Sequence, residues 1–494
     1  MSVPADHIVD EFRAVLDHNA VLTGGDADPF LLDPRNLRTA DAAVVVRPAD
    51  TAGVAATVRI CAAHNVAIVP QGGNTGLSYG TESPTDRPSI VLSLARLNQI
   101  ESVDPDRWTI TAQAGVTIEA VQQAAHAAGR KFAPDWGARG SATVGGAIAT
   151  DAGGNNVVRY GNMRDNVMGI EAVLADGSIW DARRALVKDS SGYDLKHLFI
   201  GGEGTLGIVT SAVLKLVPAT PHETSLLAAI PGLDALRPLL ELAHVHAPGL
   251  VSAFELLPDV AIDRVVEISD ATKPIDAGTE YYALVKLASS KPVDDEIAAF
   301  LTAGAEAGHV LDAVVAGTPE QETNLWFLRD HAPPTSCFIE HQEHGLKLDT
   351  AVPVDRIQDF VQSVLDAAAE IAPMALAYGF GHVGDGNLHM MILPITDEAV
   401  EPWLAVRDAV SDKVDELVFG LEGTLSAEHG VGLLLRDRVG PQKTGLEWQM
   451  MRAVKAALDP TDLFNPGKMI PPTQASALIV DNLVDNREPR TPRT

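Results

Sequence analysis

Residues 70–77 read Pro70-Gln71-Gly72-Gly73-Asn74-Thr75-Gly76-Leu77, a glycine loop at the end of an apolar strand, Val66 to Pro70. Before that strand, Val54, Val58 and Cys61 recur at helical spacing through Thr51 to Asn65, and Ala43 to Arg47 reads as an earlier strand. Glycines at a strand end let the backbone take positive φ and bring several N–H groups onto one anion. The pattern recurs twice further along. Thr143-Val144-Gly145-Gly146 runs on to Ala152-Gly153-Gly154-Asn155, and Gly202-Glu203-Gly204-Thr205-Leu206-Gly207 follows.

The third segment spells GxGxxG, but a dinucleotide fingerprint must follow a strand and open a helix. Here a helix end at Leu195 to Leu198 precedes it and a strand from Ile208 to Leu216 follows. The order is reversed, so nicotinamide-dinucleotide binding is rejected on this motif, and no P-loop is present either. Taken singly, each glycine loop is a tight turn. Three of them between residues 70 and 207 point to a pyrophosphate cradle.

At 494 residues the chain exceeds one compact core, and two or three domains are expected. The balance of 37 basic against 66 acidic residues gives a net charge of −29. That field argues against nucleic acid or anionic lipid as a partner, and it requires a local island of positive charge for any anionic substrate. Cys61 reads as core filler, and with Cys337 as the only other cysteine there is no disulfide framework, which suits a reducing compartment. Met1 to Phe12 is acidic without an apolar run, so no signal peptide is expected. No stretch approaches the ~18 apolar residues of a membrane span. The expectation is a soluble cytoplasmic enzyme.

Pro218 and Pro221 mark a boundary, so residues 1–220 are read as one domain. From 221 to 423 longer Ala/Leu helices (Asp234 to His246, Asp294 to Ala307, Val354 to Ile371) alternate with apolar strands such as Tyr281 to Leu287. That texture predicts an α+β domain on an antiparallel sheet. Residues 424–470 carry a glycine-rich loop, a helix near Leu446 to Leu458 and the terminal Asn465-Pro466-Gly467. Residues 471–494 are read as a mobile tail in which Ala477 to Val480 can dock on the body.

A second constellation lies in Gly381-His382-Val383-Gly384-Asp385-Gly386-Asn387-Leu388-His389, flanked by apolar Ala375 to Phe380 and Met390 to Leu393. Asp-Gly between apolar runs signals a hairpin. With Asp385-Gly386 at its centre, 384 pairs with 387, 383 with 388 and His382 with His389, their Cβ atoms ~5 Å apart. Two imidazoles so placed suit one shared ion, since metal–nitrogen bonds are ~2.1 Å. Glu428, in Ala427-Glu428-His429-Gly430, offers a third ligand. The same spacing also fits two hydrogen-bonded histidines lining a pocket without metal. Glu340-His341-Gln342-Glu343-His344 looks metal-like but is not HExxH, and it reads as a polar surface.

Gln71 to Leu77, Gly137-Ala138-Arg139-Gly140-Ser141, Arg159-Tyr160-Gly161, Ser191 to Lys196 and Leu198 to Ile208 together resemble the vanillyl-alcohol-oxidase-type (VAO/PCMH-type) FAD domain. Within it they look most like the D-2-hydroxyglutarate and D-lactate dehydrogenase branch, and the resemblance spans roughly residues 30 to 470. It implies two α+β subdomains clasping FAD, an α+β cap (substrate) domain with an antiparallel sheet, and a C-terminal segment returning to the flavin. Positions implied to contact FAD are Pro70 to Leu77, Pro134, Gly140, Ser141, Gly145, Gly146, Thr150, Gly153, Gly154, Arg159, Gly161, Glu203, Gly207, Ile208, His429 and Asn465. Some relatives attach flavin through a histidine in the first glycine loop. This loop has none, so FAD is expected to be non-covalent. The resemblance also implies a divalent ion at His382, His389 and Glu428, for which Zn²⁺ or Mn²⁺ suits a His₂Glu set.

Oxidising a 2-hydroxy acid requires a base for the hydroxyl proton, a carboxylate anchor and a hydride acceptor. The resemblance assigns the base to His429, the anchor to Arg329, and a further substrate contact to Lys347. Read alone, Arg329 is a surface ion pair and Lys347 a solvated strand residue. The sequence departs from the hydroxyglutarate pattern at Met391, where close relatives have Asn, and at Pro333, where they have Thr. Both changes remove polar groups, which predicts a less polar or differently shaped substrate side chain. An O₂-using oxidase, an ether-lipid-synthase-like transferase and a non-catalytic flavin-binding protein are the competing readings. The electron acceptor can be an electron-transferring flavoprotein, a quinone or a cytochrome, and the family suggests a homodimer.

Overall fold

Val44–Val46, Ala67–Gln71 and Ser89–Ser93 are short, apolar and buried almost throughout, and they pair in parallel. Continuous β-branched runs behave this way when both faces of a sheet are covered. Val21–Thr23 closes one edge antiparallel. Helix Thr51–His64 lies between the first two, capped by the Asp50 carboxylate, which accepts from Gly53 N at 2.7 Å, and stopped by Asn65 at φ 51°. The computed structural model describes residues 4–32, 44–84, 86–333 and 344–471. Cys337, residues 340–343 of the polar histidine run, and the tail with Ala477 to Val480 lie outside the described residues.

A second, five-stranded antiparallel sheet runs Ile100–Asp104, Thr109–Gln113, Ile208–Lys215, Val167–Val173, Ile179–Asp181. The GxGxxG segment falls between the short helix Lys196–Phe199 and the strand from Ile208, the reverse of a dinucleotide-binding turn. Leu463 to Asn465 comes back to the first sheet: Ile68 N donates to Leu463 O and Asn465 N to Ile68 O, both at 2.8 Å.

His222–Ile230 opens the cap. It sits in a four-stranded antiparallel sheet with Val251–Pro258, Tyr281–Ser289 and Asp312–Val315. A three-stranded antiparallel sheet follows, Leu346–Ala351, Asn387–Pro394 and Ala375–Phe380. Helices Leu236–His246, Asp294–Glu306, Ile357–Ile371 and Asp397–Gly420 pack on these sheets through one core that includes Leu239, Phe300, Phe360 and Trp403. The architecture is the expected α+β. Among the described residues, no helix is long and apolar enough to cross a membrane.

The histidine hairpin differs from its expected register. Phe380, not His382, stands opposite His389, and Tyr378 opposite Met391, a shift of two residues. Gly381 takes φ +131°, leaves the ladder and exchanges backbone hydrogen bonds with Leu256 of the other cap sheet, at 2.8 and 3.1 Å. His382 therefore lies in a loop, not a strand. The pull of a second sheet outweighs the local preference of Asp-Gly for a two-residue turn.

Candidate active site

The first glycine loop packs backbone to backbone against the second. A Cβ on Gly73 would lie 1.9 Å from Ser141 O, and one on Gly72 would lie 2.4 Å from Thr143 Oγ1. Thr143 caps helix Val144–Thr150 by accepting from Gly146 N, and Gly145 fits only because it meets Ala114 without a side chain. Gly76 and Gly137 border open space, and Gly140 and Ser141 are exposed. Among the described residues, none of the amides of Gly72, Gly73, Asn74, Thr75 and Gly76 makes a hydrogen bond. Consecutive unpaired N–H groups beside a helix N-terminus are the donor set that a pyrophosphate needs, so these residues fit FAD.

Other implied flavin contacts have visible duties within the chain. Gln71 Nε2 donates to Phe30 O, Asn74 Nδ2 to Leu32 O, Gln122 Nε2 to Pro134 O, and Thr150 Oγ1 to Gly146 O. Leu77 is partly exposed, and Ile208 is buried at the start of its strand. Gly161 (φ +72°) ends helix Val157–Tyr160, and Gly207 leaves room for the Phe199 ring. Arg159 reaches across to the cap, donating to Leu250 O and Ala288 O. Glu203 accepts from Val431 N at 2.6 Å and Gly432 N at 2.7 Å, with burial the dominant influence raising its carboxyl pKa. Asn465 Nδ2 donates to Gly80 O and Glu203 O, while its buried Oδ1 meets no partner among the described residues. These last four hydrogen bonds dock Val431, Gly432 and Asn465 onto the glycine walls.

The cap brings its histidines to the same place. Glu428 Oε1 lies 3.6 Å from both His382 Nε2 and His389 Nε2, and 3.8 Å from His429 Nε2. Donor atoms sharing one tetrahedral ion with ~2.1 Å bonds sit about 3.4 Å apart, so the spacing fits a cation. The other Glu428 oxygen accepts from Gly154 N at 2.8 Å, beside Gly153, which ties the site to the glycine wall. Among the described residues, the group whose ligand atoms all lie within 4.8 Å of one another is Asp349, His389, Glu428 and His429, which leaves the expected ligand His382 at its edge, 3.6 Å from Glu428. Asp349 is thus a member the sequence reading passed over, and His429 lies inside the cluster.

Asp349 is already well occupied. Its Oδ2 accepts from Glu428 N and His429 N at 2.9 and 2.8 Å, and its Oδ1 accepts from Asn387 Nδ2 at 2.9 Å. It also faces His389 Nδ1 at 3.6 Å and His429 Nδ1 at 3.4 Å, the geometry of a group that orients both rings. Lys347 shares its strand face two residues earlier, opposite Met391.

Arg329, on helix Pro319–Asp330, is buried. Its Nε donates to Glu255 Oε2 at 2.9 Å and its Nη2 lies 3.0 Å from His382 Nε2, while His382 Nδ1 lies 2.7 Å from Glu255 Oε1. Glu255 was also missed. The readable signal for both acids was a carboxylate inside an apolar strand, VSAFELLP and LKLDTA.

Burial pushes Glu255 up, but the charges of His382 and Arg329 outweigh it and hold the carboxyl at about 2. Burial would lower His382, yet the Glu255 carboxylate raises it to about 10, so a cation would have to displace the Nε2 proton to bind there. His389 falls to about 4, chiefly through burial, which keeps its ring a neutral ligand at neutral pH. Glu428 is held well below the usual range by the surrounding histidines against the opposing effect of burial. Three largely buried carboxylates, Glu255, Asp349 and Glu428, thus share the centre with the buried guanidinium of Arg329 and the His382 ring.

The FAD binding domain family matches residues 42–183, and the family of FAD linked oxidases, C-terminal domain, matches residues 222–469. The mitochondrial D-2-hydroxyglutarate dehydrogenase of Bos taurus is 36% identical over 453 residues, covering 90% of this chain and 80% of that protein. The D-2-hydroxyglutarate dehydrogenase of Xanthomonas citri pv. viticola is 36% identical over 427 residues, covering 86% and 88%. Among solved structures, p-cresol methylhydroxylase with substrate bound superposes with a TM-score of 0.72 at 17% identity, covering 94% of this chain and 97% of that one, a likeness of fold. The chain belongs to the FAD-linked oxidases and, within them, to the D-2-hydroxyglutarate dehydrogenase family of FAD-dependent oxidoreductases.

Proposed function

We propose that the chain oxidises a small D-2-hydroxy acid to the 2-oxo acid and passes the electrons to an external carrier. The observation that carries this reading is the convergence of Arg329, His382, His389, Glu428 and His429 beside the glycine walls. FAD, when bound, supplies the hydride acceptor, and a divalent ion supplies Lewis acidity toward the substrate hydroxyl. His382, His389 and Glu428 would hold the ion, while the engaged oxygens of Asp349 suit it to orienting the rings around them. With three carboxylates already in the centre, a substrate carboxylate needs added positive charge, which supports a cation there.

Arg329 has its Nε bonded to Glu255, its Nη2 against the His382 ring and its Nη1 3.7 Å from Asp330 Oδ1, and a substrate carboxylate would meet the Nη1 and Nη2 hydrogens in place of the long Asp330 contact. His429 has a side chain 33% exposed, well above His382 and His389, which suits a base that meets the substrate and returns its proton to water. Met391 packs with Leu328, Tyr378 and Phe380 in an apolar cluster. With Pro333, this supports a substrate side chain less polar than, or shaped differently from, that of 2-hydroxyglutarate. Anaerobic mixing with a panel of D-2-hydroxy acids is expected to bleach the flavin, fastest with a monoacid. No bleaching by any member would overturn the function, and a kcat/KM highest for D-2-hydroxyglutarate would overturn the substrate reading alone.

A further inference from the structure

Glu255 is the single charged side chain of strand Val251–Pro258, and it is 1% exposed. A carboxylate so placed costs several kcal/mol unless donors and opposite charge surround it. Its two oxygens serve different partners: Oε2 accepts from Arg329 Nε at 2.9 Å, and Oε1 meets His382 Nδ1 at 2.7 Å. The backbone on either side grips the same loop. Leu256 exchanges hydrogen bonds with Gly381, and Gly384 N donates to Phe254 O at 3.0 Å. One strand therefore clamps both the backbone and the ring of His382.

We propose that Glu255 is a positioning residue that couples the substrate-carboxylate anchor to the cation site, aiming Arg329 through its Nε and holding the His382 ring through Nδ1 so that Nε2 faces Glu428. The inference rests on the proposed function for what Arg329 and His382 bind. Anchoring Nε fixes the plane of the guanidinium and with it the direction in which Nη1 and Nη2 face a carboxylate. A carboxylate on the far nitrogen of an imidazole fixes its tautomer and raises the basicity of the near one. An amide at this position cannot replace it, because glutamine offers one acceptor and one donor where two donors must be met.

The test compares wild-type and Glu255→Gln flavin-loaded, full-length protein. Affinity for Zn²⁺ and Mn²⁺ is measured on chelator-stripped samples by competition with a chromophoric chelator, and KM is measured at saturating metal. The expected result is a roughly 10- to 100-fold loss of ion affinity, together with a raised KM that excess metal does not restore. Glu255→Asp, which keeps the charge on a shorter stem, should recover part of one effect; it replaces the glutamine variant if that fails to retain flavin. A flavin-loaded variant whose ion affinity and KM both match wild type overturns the inference. Wild-type protein that binds neither ion nor hydroxy acid overturns the proposed function itself, which separates the two failures.

Discussion

At the scale of single residues, the centre is organised by side chains whose polar atoms are already committed. Asp349 accepts three hydrogen bonds, two from the backbone that carries Glu428 and His429. Asp349→Asn should turn one acceptor into a donor facing those amides and lower stability by about 1–3 kcal/mol. Urea unfolding of the flavin-loaded protein measures it, and an unchanged midpoint would show that the loop holds itself. Among the described residues, the His429 ring is held only by longer contacts, to Asp349 and Glu428 at 3.4 and 3.8 Å and by stacking on His389. His429→Ala is expected to reduce kcat by roughly 10²–10⁴-fold while flavin and metal contents stay at wild-type levels. If metal is lost in parallel with activity, His429 is a ligand and not the base.

At the scale of elements, the two cap sheets meet at Gly381, whose positive φ lets the chain step from one ladder to the other. A Cβ there would lie 3.0 Å from His389 Cδ2. Gly381→Ala should therefore cost about 1–3 kcal/mol in backbone strain and displace His389, which thermal melts and metal stoichiometry would both detect. Retention of full metal occupancy would argue that the loop tolerates the shift. The helices around this junction were readable from periodicity, because an amphipathic stripe is a local property. The two-residue register shift was not readable, because its cause is Leu256, more than a hundred positions upstream.

At the scale of the molecule, the cap and the flavin domain are latched by charge as well as by residues 428–432. Glu223 meets Lys131 of the flavin half at 2.5 Å and Lys286 of the cap at 2.7 Å. Burial raises its pKa, but the two ammonium groups outweigh that and hold it at about 2, below its ordinary 4.5. A depressed carboxyl contributes stability that is complete above about pH 5 and disappears as the pH falls through 2. Wild type should exceed Glu223→Gln by a few kcal/mol near pH 6, the gap closing toward pH 2 in denaturant titrations. A pH-independent gap would assign the effect to packing. Chelation addresses the centre as a whole: dipicolinate treatment should abolish hydroxy-acid oxidation and leave the flavin spectrum intact, with Zn²⁺ or Mn²⁺ restoring activity. Full activity in a metal-free sample would remove the cation from the function.

By itself the sequence pointed to an FAD-binding domain, since glycine loops act through their own backbone amides and are legible as local composition. It also grouped His382, His389, Glu428, His429 and Arg329 through a resemblance carried by those residues in order. Only the tertiary structure decided how they meet: Glu255 behind Arg329 and His382, Asp349 behind His389 and His429, and Glu203 drawing the last segment onto the flavin domain. Each of these carboxylates finds its partners on other elements of the chain. Local periodicity cannot report such pairs, because the free energy that makes a buried charge tolerable comes from groups that only folding brings into contact.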